Sequence, residues 1–227
     1  MLFNRLIIPL LIAYSLNALA NSAPWVGESL EGLPCDGGDQ GFGPFDYSKR
    51  ATIDKHNLDI VEGAHFTSKV EKLAGGFSGS LEGDLNYTLR AWPNHHRALL
   101  TIINYQLNIK NKLLNAKLKT PPECYLQRAV HFSPEDAATY SLYGYYLKKI
   151  GKQEDALSKY QMAMKLDPDD AKIAYSLSLL LIDMKKYDEA VKYAQIAYQQ
   201  GKAPDGLKQK LRKLGIWKEK TDLDPVP

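Results

Sequence analysis

The sequence predicts an all-α protein: an α-solenoid of stacked helical hairpins, preceded by a divergent helical part and an irregular N-terminal segment. Three observations point there. Pro134 and Pro168 lie 34 residues apart, and the same offset joins Leu147 to Leu181, Ala156 to Ala190 and Ala163 to Ala197. A fixed period of that length marks a repeated structural unit. Within the unit, Tyr140, Tyr143, Leu147 and Ile150, then Ala156, Tyr160, Ala163 and Met164, recur at three- and four-residue steps, which places them on one side of a helix. Finally, Ser133-Pro134-Glu135-Asp136 and Asp167-Pro168-Asp169-Asp170 each offer a capping oxygen, a proline for the first turn and acids for the positive helix end.

Each unit is therefore predicted as two amphipathic antiparallel helices, joined at Gly151-Lys152 or Lys185-Lys186. Residues 134–203 hold two such units. They resemble the tetratricopeptide repeat (TPR): Tyr140, Tyr143, Gly144, Leu147, Ala156, Tyr160, Ala163 and Pro168 stand where that family favours Trp, Leu, Gly, Tyr, Ala, an aromatic, Ala and Pro. Small residues at these places let two helices cross closely. In the second unit the corresponding residues are Ala174, Leu177, Ser178, Leu181, Ala190, Ala194 and Ala197. There Ser178 replaces the glycine and Lys202 the closing proline, so the outer end is expected to lead into a cap. Residues 204–216 are predicted as that capping helix, apolar at Leu207, Leu211 and Leu214, and 217–227 as a disordered tail.

Upstream, residues 51–133 are expected to form a divergent, TPR-like helical region. Pro93 of "WPNHHRAL" precedes Pro134 by one period plus seven residues, which implies a first helix from about Asn94 to Ile109, a second from Pro122 to Phe132, and an extended turn around "NKLLNAKLKTPP". Before it, "NLDIVEGAHFTSKVEKL" reads as a first helix and "LEGDLNYTLRAW" as a second, joined through "AGGFSGS". Residues 21–50 are glycine-rich and carry Pro24, Pro34 and Pro44, so they are predicted to lack regular structure.

The first twenty residues differ in kind. Arg5 precedes a mostly apolar run, and Ala18-Leu19-Ala20 offers small residues two apart, the layout of a signal peptide over residues 1–20 cleaved after Ala20. An uncleaved membrane anchor is the alternative. The chain has two cysteines, Cys35 and Cys124, and export to an oxidising compartment favours a disulfide between them. Two separate buried thiols are the other possibility. "PFDY", "VEGAHFT" and "YTLRAWPNHHRAL" together resemble stretches of exported bacterial TPR proteins, which implies a periplasmic compartment and no activity in particular.

For chemistry the sequence offers little. A net charge of +3 over 227 residues is too mild to argue for nucleic acid. His65, His95 and His96, with Glu62 and Asp84 near them in sequence, are the best material for a metal site, but no spacing brings three or four ligands together. The simpler expectation is that His65 packs beside Phe66 while, of His95 and His96, one is hydrogen-bonded and one solvated. "CDGGDQGFG" lacks the helix and lysine of a phosphate loop, and "FSGS" is not a hydrolase elbow. No catalytic residue, cofactor or metal is predicted.

The TPR resemblance implies a groove lined by the first helix of each unit. Its candidate residues are Arg97, Leu100, Thr101 and Asn104, then Ser141, Leu142, Tyr145 and Lys148, then Lys172, Tyr175, Leu179 and Ile182. Tyrosines, leucines and amides suit a protein or peptide partner. The expected function is thus a non-catalytic periplasmic adaptor in envelope assembly. A module for envelope polysaccharide or the membrane surface, using Tyr145, Tyr175 and the basic run "KQKLRKLGIWKEK", is a second reading, and a metal-dependent enzyme centred on His65 and His95 a third.

Overall fold

A computed structural model describes residues 22–52, 55–110, 118–199 and 203–217 of the chain. The expected signal peptide, most of the extended turn after residue 110, Lys202 and nearly all of the expected tail lie outside the described residues.

Among the described residues the chain forms ten α-helices and no named strand; Glu28 and Pro34 make one isolated bridge. The helices are α1 (Lys55–His65), α2 (Ser68–Glu71), α3 (Leu81–Ala91), α4 (His96–Lys110), α5 (Pro122–Phe132), α6 (Ala137–Lys149), α7 (Gln153–Leu166), α8 (Ala171–Asp183), α9 (Tyr187–Gln199) and α10 (Gly206–Lys213). The α6–α7 and α8–α9 hairpins are the most extensively packed pairs, and α7 joins them through α8. Buried Ala156, Tyr160, Ala163, Ala174, Leu177, Leu181, Ala190, Ala194 and Ala197 belong to one continuous core with Leu207 and Leu211 of α10. The residues that carry the 34-residue period are therefore the ones that close the core.

Gly144 shows why the repeat needs its small residues. A Cβ there would lie 2.9–3.0 Å from the Tyr160 ring, closer than real side chains approach. In the second hairpin the same two positions hold Ser178 and Ala194, both fully buried, and the Ser178 hydroxyl donates to the Ala190 carbonyl at 2.7 Å. A larger residue on the first helix is matched by a smaller one on the second.

Helix starts fall later than expected. Asp136 and Asp170, three residues beyond Ser133 and Asp167, are the N-caps: Asp136 accepts the Thr139 amide, and Asp170 those of Lys172 and Ile173. Ser133 and Asp167 end the preceding helices instead, their amides donating to the Ala129 and Ala163 carbonyls. Each proline thus sits in the connection, where its missing N–H costs no helical bond. Both hairpin turns take one left-handed residue, Gly151 at φ 85° and Lys185 at φ 60°.

The N-terminal half departs further from a regular repeat. The stretch expected as one helix breaks at Phe66-Thr67, because Thr67 is extended (φ −67°, ψ 164°) and starts the separate short helix α2. Consequently α2 packs against both α3 and α4, while α1 packs against α3 and reaches α4 through Glu62. A second core of Phe66, Val70, Leu85, Leu89, Leu99, Ile102, Tyr125 and Leu126 joins α2 to α5.

Residues 22–50 run as a strap held at discrete points. Cys35 and Cys124 form a disulfide, with Cα atoms 5.3 Å apart. Buried Glu123 accepts the Leu30 amide at 3.0 Å and the Tyr146 hydroxyl at 2.6 Å. Arg128, 1% exposed, donates to the carbonyls of Ala23 and Leu89 and to the Gln40 amide oxygen, with its guanidinium 4.8 Å from the Trp25 ring. Burial pushes Arg128 down to about 10. The Leu89 carbonyl lies in the last turn of α3, where the helix dipole is negative and favours a cation.

Candidate functional site

Because α4 packs on α6 and α6 on α8, the first helices of successive hairpins form one continuous wall, and α10 extends it beyond α8. The sequence-predicted residues fall into three groups along it. Leu100 on α4 is 39% exposed and Lys172 on α8 is exposed, while Asn104, Ser141, Tyr145, Tyr175 and Leu179 are half-buried. Thr101 and Ile182 are buried; the Thr101 hydroxyl donates to the Arg97 carbonyl, so neither side chain is available on the surface. Arg97 and Lys148 are at the surface but already paired.

Arg97 forms a two-point bond to Glu71 (2.8 and 2.6 Å), reaches Glu62 at 3.2 Å, and lies 5.2 Å from the Phe66 ring centre. The Glu71 bond is the largest influence raising Arg97 above its ordinary value. Lys148 binds Asp183 at 2.9 Å, and Lys210 of α10 binds the other oxygen of the same carboxylate at 2.8 Å. Asp183, which the sequence did not single out, thereby ties α6, α8 and α10 together. Tyr145 packs against both cores, with the Lys149 ammonium 5.5 Å from its ring centre. A Cβ on Gly206 would sit 3.4 Å from the Tyr175 hydroxyl, so Tyr175 marks the seam between α8 and α10.

His95 and His96 sit at the start of α4 and His65 at the end of α1 against α3, without forming a ligand set. His65 Nδ1 meets Asp84 at 2.9 Å, and its ring stacks on Tyr87 with centres 3.8 Å apart. Asp84 also accepts the amides of Phe77, Ser78 and Gly79. Its burial works to raise it, but these bonds prevail and hold it below the usual carboxylate range. His95 Nε2 meets Glu62 at 2.9 Å, and His96 Nε2 meets Asp136 at 2.8 Å. Of the pair, His95 is fully buried, while His96 stays 25% exposed yet donates to buried Asp136, so both are hydrogen-bonded and only His96 also meets solvent. Glu62 and His65 share a helix but serve different partners. Among the described residues, no group of three or more His, Cys, Asp or Glu is placed to hold a metal ion.

Asn94 connects this cluster to the strap. Its amide nitrogen donates to Asp46 and to Asp136, both at 2.8 Å, and its oxygen accepts the Tyr47 amide at 2.8 Å. No local signal could have found these bonds, because their partners lie more than forty residues apart in sequence.

No family model matches the chain. Among curated proteins it is similar to the protein O-mannosyl-transferase TMTC3 of Homo sapiens, 29% identical over 108 residues, 47% of this chain and 11% of that one. The Drosophila melanogaster Tmtc3 is 27% identical over 113 residues, 50% of this chain and 12% of that one. The match thus spans only about a tenth of those relatives. Two solved structures of MamA share 20% and 18% identity, with TM-scores of 0.44 and 0.43; they cover 72% and 79% of this chain, and each is covered over 86% of its own length. The α6–α7 and α8–α9 hairpins have the period, packing residues and antiparallel geometry that the resemblance to tetratricopeptide repeats implies.

Proposed function

We propose that this chain is an exported, non-catalytic scaffold whose α4–α6–α8 wall holds a segment of another protein, in the assembly of a bacterial cell envelope. The observation that carries the reading is the wall itself. Three parallel first helices present Leu100, Asn104, Ser141, Tyr145 and Tyr175 at the surface, apolar and amide-bearing side chains on a rigid support. Such anchors suit an extended or helical segment, and one aromatic anchor commonly carries about 2 kcal/mol or more of binding. The export part of the reading rests on residues 1–20 and on the Cys35–Cys124 disulfide, a bond typical of oxidising compartments.

The test is affinity capture from an envelope extract with the mature chain, Leu100→Asp and Tyr175→Ala, each variant checked for unchanged helical content. A protein retained by the parent chain and weakened about tenfold or more by both substitutions supports the reading. Retention of a glycan, or of anionic vesicles through the α10 lysines, with no dependence on Leu100, overturns it.

A further inference from the structure

His95 is fully buried at the meeting of four pieces of chain, and both of its ring nitrogens are in use. Its Nδ1 accepts the Ala98 amide at 3.1 Å, while its carbonyl accepts the Leu99 amide, which makes His95 the N-cap of α4. An atom that accepts an N–H carries no proton. The ring is therefore neutral with its proton on Nε2, donating to Glu62. Tyr47 packs on one side with centres 4.2 Å apart, and Phe66 meets the ring edge-on at 4.8 Å. This one side chain thus joins the strap, α1 and the first turn of α4, the turn that carries Arg97 and leads directly into Leu100.

We infer that His95 is an acid-sensitive latch: a proton taken up at Nδ1 turns the acceptor into a donor facing the Ala98 N–H, releases the first turn of α4, and loosens the end of the wall bearing Arg97 and Leu100. The charged and titratable groups around it divide. Glu62 on α1 and, farther off, Glu71 on α2 favour an imidazolium; Arg97 and His96 on α4 oppose it; Tyr47 in the strap is neutral, its phenol raised by burial. Burial outweighs the pull of Glu62 and holds the imidazole below its ordinary value. The latch is therefore closed at neutral pH and opens only on acidification. Its bearing on partner binding rests on the wall reading above, but the latch is read without any partner.

The experiment is amide hydrogen exchange on the whole chain, corrected for intrinsic rates, from about pH 7.5 downward until the fold is lost, alongside the Nδ1 chemical shift of His95. The parent chain should lose about tenfold or more protection at Ala98 and Leu99 over this range, in step with proton uptake at Nδ1, while α8 and α9 keep theirs. His95→Asn, which caps without titrating, should hold protection at Ala98 within about threefold. Constant protection in the parent chain, an Nδ1 that stays unprotonated throughout, or equal loss across α8 and α9 overturns the inference. If His95→Asn does not fold, the parent's shift and exchange curves decide alone.

Discussion

Gly144 and Tyr160 are a pair whose volumes trade against each other, and their second-repeat counterparts Ser178 and Ala194 show the trade made the other way. Gly144→Ser should therefore cost about 1–3 kcal/mol by overpacking, and Tyr160→Ala about 3–5 kcal/mol by leaving a cavity. Combined, they recreate the Ser–Ala pair of the second hairpin, so denaturant unfolding should show a double-variant loss smaller than the sum by about 1 kcal/mol or more. Strict additivity would mean that the two side chains do not compete for the same space. The turns offer a second comparison between repeats. Gly151 and Lys185 occupy the same left-handed position, but only glycine does so without a Cβ penalty. Lys185→Gly should raise stability by about 1 kcal/mol, read as a higher midpoint at unchanged slope. A loss would show that the lysine side chain contributes more than its backbone costs.

At the scale of elements, the strap depends on a few strong attachments, because residues 22–50 have almost no regular structure of their own. The disulfide closes a separation of 89 residues, and its removal by Cys35→Ala with Cys124→Ala should cost about 2–5 kcal/mol. The loss should appear first as faster amide exchange at Leu30 and at position 35, with α8 and α9 unchanged at low denaturant. Unaltered exchange there would mean that Arg128 and Glu123 hold the strap unaided. These elements also show what a sequence can reveal. The hairpins from 137 to 199 were legible because their packing residues recur at a fixed offset and their turns and caps are local. The break at Thr67 was not, since a single extended residue leaves the apolar spacing on either side intact. Nor was the neutralisation of Arg97 and Lys148: Glu71 and Asp183 lie 26 and 35 residues away, and only the stacking of successive helices brings them close. The wall was thus readable as a set of positions, but which of its side chains are open depends on neighbours that the repeat does not encode.

For the whole molecule, the polar cluster at the start of α4 and α6 sets how the fold responds to acid. Burial of Asp136 works to raise its carboxyl, yet bonds from His96, Asn94 and Thr139 prevail and hold it below the usual range. A carboxylate depressed in the folded state contributes stability above its unfolded value of about 3.9, and that contribution disappears as pH falls through the folded value. His95 adds loss from higher pH. It is a base held low by burial, so below about 6.5 the unfolded chain binds a proton that the folded chain refuses. Stability should thus decline in two stages on acidification, beginning near pH 6.5 and steepening below about pH 4. Asp136→Asn separates them. Asparagine still caps α6 but presents one acceptor oxygen where Asp136 serves His96, Asn94 and Thr139, so at pH 7 the variant should be less stable by about 1–3 kcal/mol. Because the parent loses this advantage on protonation, the two unfolding curves should draw together as pH falls below about 4 and through the folded value, with the stage near pH 6.5 present in both. A gap of constant size from neutral to acid pH would show that Asp136 acts through its shape and not through its charge.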